Sequence, residues 1–162
     1  MLPKGFKINR SAARKSGKIE HFFPGMSMLR AVKDIFRSKK LREKVFKKIS
    51  VKITKKGCLY MRILHGKMLI NPTHLKKASR KVLYLDILHE LVHVKQMLAG
   101  KDLYDENHKY FDRPTEIEAY KFAVREARKI GMSEEEIVEY LKVEWVSDKE
   151  FGKMLKNVGV KV

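Results

Sequence analysis

Covalent staples are missing from this chain. Its one cysteine, Cys58, can close no intramolecular disulfide, which excludes the small disulfide-built scaffolds and points to a reducing, cytoplasmic setting. No apolar run approaches the about 18 residues of a membrane span, and residues 1–7 hold no apolar stretch of the kind a secretory leader needs. There is no internal repeat and no glycine-rich phosphate loop. Amide side chains are scarce, four Asn and one Gln in 162 residues, a composition that leans towards a thermophile. One domain is expected at this length, and such a chain buries about 68–70% of its unfolded surface.

Acidic residues are scarce at one end. Residues 1–56 hold 18 Lys and Arg against 3 Asp and Glu, a net of +15, whereas residues 57–162 carry a net of only +3. Residues 1–22 show no apolar periodicity and read as a flexible basic arm, bounded by Pro24-Gly25, with a single domain over 23–162. Lysines and arginines that neutralise phosphates release counterions, so this region is a candidate for nonspecific nucleic-acid binding. Its few aromatics, Phe6, Phe22 and Phe23, promise little base stacking. The alternative is a Lys-rich solvated surface that only keeps the protein dispersed.

Patterning places the elements. Residues 27–49 read as helical, with Leu29, Val32 and Phe36 on one stripe and Leu41, Val45 and Ile49 on another, as one kinked helix or two short ones. Three strands follow at 49–54, 59–64 and 68–70, divided by Lys55-Lys56-Gly57 and His65-Gly66-Lys67, and they suggest a small antiparallel meander. His74, in the next helical region, reads as surface. Beyond two long helices, Ser133 with Glu136 and Ser147 with Glu150 spell capping boxes. The tail from Val158 to Val162 reads as strand-like.

The long helix over 79–99 contains Leu88-His89-Glu90-Leu91-Val92-His93-Val94. His89 and His93 fall one turn apart on one face, with Cβ atoms roughly 5–6 Å apart, so two imidazoles can converge on one ion. Glu90 projects beside them, placed to take a proton from a water bound there. With six His and 13 Glu in the chain, chance gives roughly 0.02 such H-E-x-x-H matches, so the pattern is informative. Leu83, Ile87, Leu91, Val94 and Leu98 line the opposite face. The alternative, a core helix with polar residues at its edge, must bury two histidines and a glutamate without a partner, which is expensive.

A zinc site of this kind needs a third protein ligand. Position 99 is Ala99, which excludes the three-histidine metzincin pattern. The next helix opens at Pro114 and closes at Gly131, and its first turn carries Glu116. The loop of residues 100–113 is long enough to return Glu116 to the ion. His108, fifteen residues after His93, and Glu118 are the alternatives. Tyr104, His108 and Tyr110 in that loop are candidate oxyanion donors.

H-E-x-x-H followed about twenty residues later by E-x-x-A resembles the gluzincin metallopeptidases, and residues 48–140 resemble their soluble minimal members, the minigluzincins, which are similar to the catalytic core of integral-membrane prenyl-protein-type zinc proteases. The resemblance implies an α+β, zincin-like fold: a three-stranded antiparallel sheet packed with the H-E-x-x-H helix and a glutamate-bearing helix. It implies Zn2+ held by His89, His93 and Glu116, the glutamate standing three residues before Ala119, with Glu90 as general base in peptide hydrolysis. Tyr120 stands where the pattern has an acidic residue, and Asp86, one turn before His89, is the substitute partner for that histidine. Two other readings stay open. One is a SprT-like protease with His108 as third ligand, acting on proteins attached to nucleic acid. The other is a zinc-stabilised nucleic-acid-binding module without turnover.

Overall fold

The computed structural model describes residues 1–161. Its organising element is the long helix Arg80–Leu98, numbered α5 in the chain order given below. Ser79 caps it by accepting from the Val82 amide, satisfying one of the amides a helix start leaves free. Leu83, Leu85, Ile87, Leu88, Leu91 and Val94 are all fully buried, and His89, Glu90, His93 and Gln96 are buried with them, so the helix runs through the core. Leu98, expected on the apolar stripe, is exposed.

Helix α6, Pro114–Lys129, starts with Pro114 in its first turn and lies against α5. Ala119, Ala123 and Ala127 are fully buried, and side chains this small let the two helices approach closely. Gly131 leaves the helix at φ +80°, a left-handed conformation that suits glycine.

Ahead of α5 lie α1 (Ile19–Phe22), α2 (Arg30–Ile35), α3 (Lys39–Lys48) and α4 (Pro72–Lys77). The helical stretch expected over 27–49 is thus two short helices, separated at residues 36–38 and restarted by Ser38, whose hydroxyl accepts from the Leu41 amide. After α6 come α7 (Glu134–Leu141) and α8 (Asp148–Val158), each opened by its full capping box.

The sheet differs from the antiparallel meander expected. It has four strands, β1 (Gly17–Lys18), β2 (Ser50–Ile53), β3 (Met61–Leu64) and β4 (Lys67–Ile70), in the order β1-β2-β4-β3. β4 pairs parallel to β2 and antiparallel to β3. The tight turn His65-Gly66, with φ of +48° and +74°, makes β3 and β4 a hairpin. The longer connection over residues 54–60 carries β3 past one strand position, and β4 fills the gap. Met68, Leu69 and Ile70 are buried in succession, as suits a strand with a neighbour on each side rather than an edge.

The stretch 1–22 is part of the domain rather than an arm outside it. Phe6, Ala12, Ala13, Ile19 and Phe22 are core residues, and β1 pairs antiparallel with β2. Phe6 packs edge-on to Tyr84 of α5, ring centroids 5.1 Å apart. The Arg10 guanidinium donates to the carbonyls of Leu75, Lys76 and Ala78 at 2.9, 2.8 and 2.8 Å, satisfying the C-terminal end of α4. These anchors are isolated rather than periodic, so hydropathy patterning misses them.

The tail is not a strand where it is described. Val158 ends α8, Gly159 caps it at φ +76° and Val160 is buried, and Val162 lies outside the described residues. No helix among the described residues is long and apolar enough to cross a membrane.

Candidate metal centre

His89 and His93 occupy one face of α5, and the first turn of α6 brings Glu116 up to them. His89 Nε2 and His93 Nε2 lie 3.0 Å apart, and Glu116 Oε2 is 3.2 Å from the first and 3.3 Å from the second. Ligands about 2.0–2.1 Å from a tetrahedral ion stand about 3.3–3.4 Å apart, so the three atoms match one face of such a tetrahedron. All three residues are buried, at 5%, 5% and 7% exposure. They form a group that can hold a metal ion.

The charges in this group support one another. Burial alone would lower the His93 pKa, but the hydrogen bond and charge of Glu116 outweigh it and hold the imidazole up at about 9. Burial pushes Glu116 up, and hydrogen bonds from His89 and His93 overcome that, leaving the carboxyl at about 2. Glu116 thus favours positive charge at His93, and a cation suits the place that this proton otherwise takes.

The supporting groups are unequal. His93 Nδ1 lies 2.7 Å from Gln96 Oε1, while the Gln96 amide nitrogen donates to Thr115 O at 2.9 Å and to Glu118 Oε2 at 2.7 Å. His89 Nδ1 has no hydrogen-bond partner among the described residues. Asp86, the expected substitute partner for His89, instead stands 2.6 Å from His74 Nε2. His74 is thus held against Asp86 with its side chain 12% exposed, rather than lying free at the surface. Tyr120 covers His89 with its ring, centroids 4.3 Å apart, and its hydroxyl is 3.1 Å from that of Tyr110.

Glu90 is 6% exposed, and its Oε2 has no hydrogen-bond partner among the described residues. Burial raises its pKa against the lowering pull of His89 and His93. Glu90 lines a cleft of about 660 Å³ together with the three clustered residues and Tyr60, Ile63, Tyr104, Tyr110, Tyr140 and Trp145. β3 forms one rim, and the Tyr104 hydroxyl donates to the Ile63 carbonyl there. Trp145 reaches across from the α7–α8 connection and stacks on Tyr60, centroids 6.3 Å apart.

The remaining candidates lie elsewhere. The His108 ring is paired with Asp105 at 2.9 Å and is 43% exposed, outside the cluster of His89, His93 and Glu116. Glu118 is occupied by Gln96 and Lys101. Sequence reasoning passed over Gln96, although its place three residues after His93 on one helix face was a usable signal. It also passed over Trp145, whose approach to the cleft depends on tertiary packing.

No protein-family model, curated protein or solved structure matches this chain, so a functional reading rests on the residues and their geometry.

Proposed function

We propose that the protein is a zinc-dependent peptidase of the gluzincin kind. The observation that carries this reading is the convergence of His89, His93 and Glu116 on one point, beside a buried Glu90 whose Oε2 has no hydrogen-bond partner among the described residues, at the wall of a cleft. A carboxylate left unpaired in the interior is costly, and it persists where chemistry uses it.

Zinc held by those three residues would supply a Lewis acid able to acidify a water and polarise a carbonyl. Glu90 would accept the proton of the attacking water and return it to the departing amide nitrogen as the C–N bond breaks. Gln96 holds His93 in the tautomer that offers Nε2 as ligand. β3 is an edge strand, and its Ile63 carbonyl is turned towards the cleft, where Tyr104 meets it. An extended peptide can pair along such an edge.

The test joins metal content to turnover. Elemental analysis of the wild type is expected to find stoichiometric zinc, and an unfolded protein substrate to be cleaved. Glu90→Gln is expected to keep the zinc and lose about 10²–10⁴-fold in rate. Bound zinc without cleavage by the wild type would favour a metal-stabilised module, and full activity in Glu90→Gln would remove the mechanism.

A further inference from the structure

The sheet presents two faces of opposite character. Residues paired across strands point to the same side, and side chains alternate along each strand. Val51, Met61, Ile63, Met68 and Ile70 form one face, and all are buried. The register places Lys18 beside Ser50, and Lys52, Leu69 and Arg62 in one row, with Lys67 opposite Leu64 on the same side. Lys18, Lys52 and Lys67 are exposed there.

This outer face has no acid of its own. Residues 44–85 contain twelve Lys and Arg and not one Asp or Glu, and none of the four strands carries a carboxylate. Helix α3 adds Lys47 and Lys48 at the β1 side, where the Lys18 ammonium donates to the Lys47 carbonyl. The acids of the neighbouring short helices are engaged locally, Glu20 of α1 with the Gly25 amide, Asp34 with Arg30 and Glu43 with Lys39. The loop carrying Asp102 and Asp105 meets the sheet only from the β3 side, through Tyr104. The uncompensated charge is therefore concentrated over β1, β2, β4 and the end of α3.

We propose that this outer sheet face binds duplex nucleic acid through its phosphates. Four strands span about 14 Å, on the scale of the roughly 12 Å major groove of a duplex. The seven positions on this side, Lys18, Ser50, Lys52, Arg62, Leu64, Lys67 and the buried Leu69, include no aromatic ring, and the Tyr104 ring at the β3 side lies against the Arg62 guanidinium, 5.6 Å from its centroid, so stacking on single-stranded bases contributes little and phosphate contact dominates. The cations sit on a rigid sheet rather than a loose arm, which fixes their spacing relative to the duplex. This proposal stands apart from the peptidase reading and survives its failure.

The experiment uses the full chain and a mixed-sequence DNA duplex of about 20 base pairs, titrated by fluorescence anisotropy across salt. Binding at near-physiological salt is expected, with a steep inverse salt dependence. The triple variant Lys18→Gln, Lys52→Gln, Lys67→Gln is expected to weaken binding about tenfold or more and to reduce the log–log salt slope by roughly 3. Lys121→Gln, Lys149→Gln, Lys156→Gln removes the same charge from α6 and α8 and is expected to change affinity less than about threefold. Equal losses in both triples would reduce the effect to net charge and overturn the proposal, as would absence of duplex binding at that salt. Tighter binding to phosphatidylserine-containing vesicles than to duplex, at equal phosphate concentration, would also overturn it.

Discussion

Gln96 Oε1 accepts from His93 Nδ1 across 2.7 Å, and this contact decides what His93 offers on its other side. With Nδ1 donating to Gln96, Nε2 is the nitrogen left to hold either the proton shared with Glu116 or, in its place, a metal ion, and it is the atom that faces His89 and Glu116. Gln96 is itself held, because its amide nitrogen is bound by Thr115 O and Glu118. The ring is therefore oriented from α6 as well as from α5.

Gln96→Ala should lower metal affinity by about 10–100-fold while the fold survives, the usual range for a group that orients a ligand. Competition with a chelator of known affinity measures the loss, and circular dichroism checks the fold. Unchanged metal affinity would leave Gln96 with a packing role alone.

Glu116→Ala should release the metal, and His108→Ala should retain it. The first removes the only carboxylate of the cluster, and the second touches an exposed ring paired with Asp105. Metal analysis after dialysis separates the two. Retention in Glu116→Ala with loss in His108→Ala would reverse the ligand assignment.

The parts of this protein that were legible in sequence are those specified locally. The pairing of His89 with His93 needs only helical spacing, and Ser133 and Ser147 announce their helices through residues three positions away. Strand order was harder, because it depends on which strand lies inside the sheet. Met68-Leu69-Ile70 carried that signal as an unbroken apolar run. Asp86 lay within one turn of His89, yet His74, twelve residues earlier, takes it. Residues 1–22 hid their role for a similar reason: Phe6 and Ile19 fill separate core positions, and no period links them.

Cys58 should resist alkylation near neutral pH and should make the fold alkali-sensitive. Burial, reinforced by the charge of Glu90, pushes its thiol up to about 11 from an ordinary 9.0. Below pH 9 the thiol is protonated in both the folded and the unfolded chain and contributes no pH dependence. Between pH 9 and 11 the unfolded chain ionises first, so stability should fall as pH rises, by at most about 1.4 kcal/mol per pH unit from this group. Urea titrations at several pH values, compared with Cys58→Ala, isolate the effect. Equal slopes in the two proteins would show that the thiol does not contribute.

Phe6→Ala should destabilise the whole domain by about 3–5 kcal/mol, the cost of emptying a large aromatic position in a packed core. Phe6 is 1% exposed and abuts both Tyr84 and Phe23, and its carbonyl receives the Arg80 guanidinium at 2.8 Å. Arg10→Ala should cost less, about 1–3 kcal/mol, because the carbonyls of Leu75 and Ala78 lose a charged donor but remain within reach of water. A detachable arm would behave differently: neither substitution would move the urea midpoint, and removal of residues 1–22 would leave a folded remainder. Here that deletion strips Ile19 and Phe22 from the core and β1 from the sheet, so the shortened chain should fail to show a cooperative transition. Tyr84 also lies on α5, five residues before His89, so the N-terminal segment helps seat the helix on which both histidines stand. Metal affinity measured on Phe6→Ala well below its unfolding transition should stay within a few-fold of wild type, since Phe6 meets α5 at Tyr84 and is not among the residues lining the cleft.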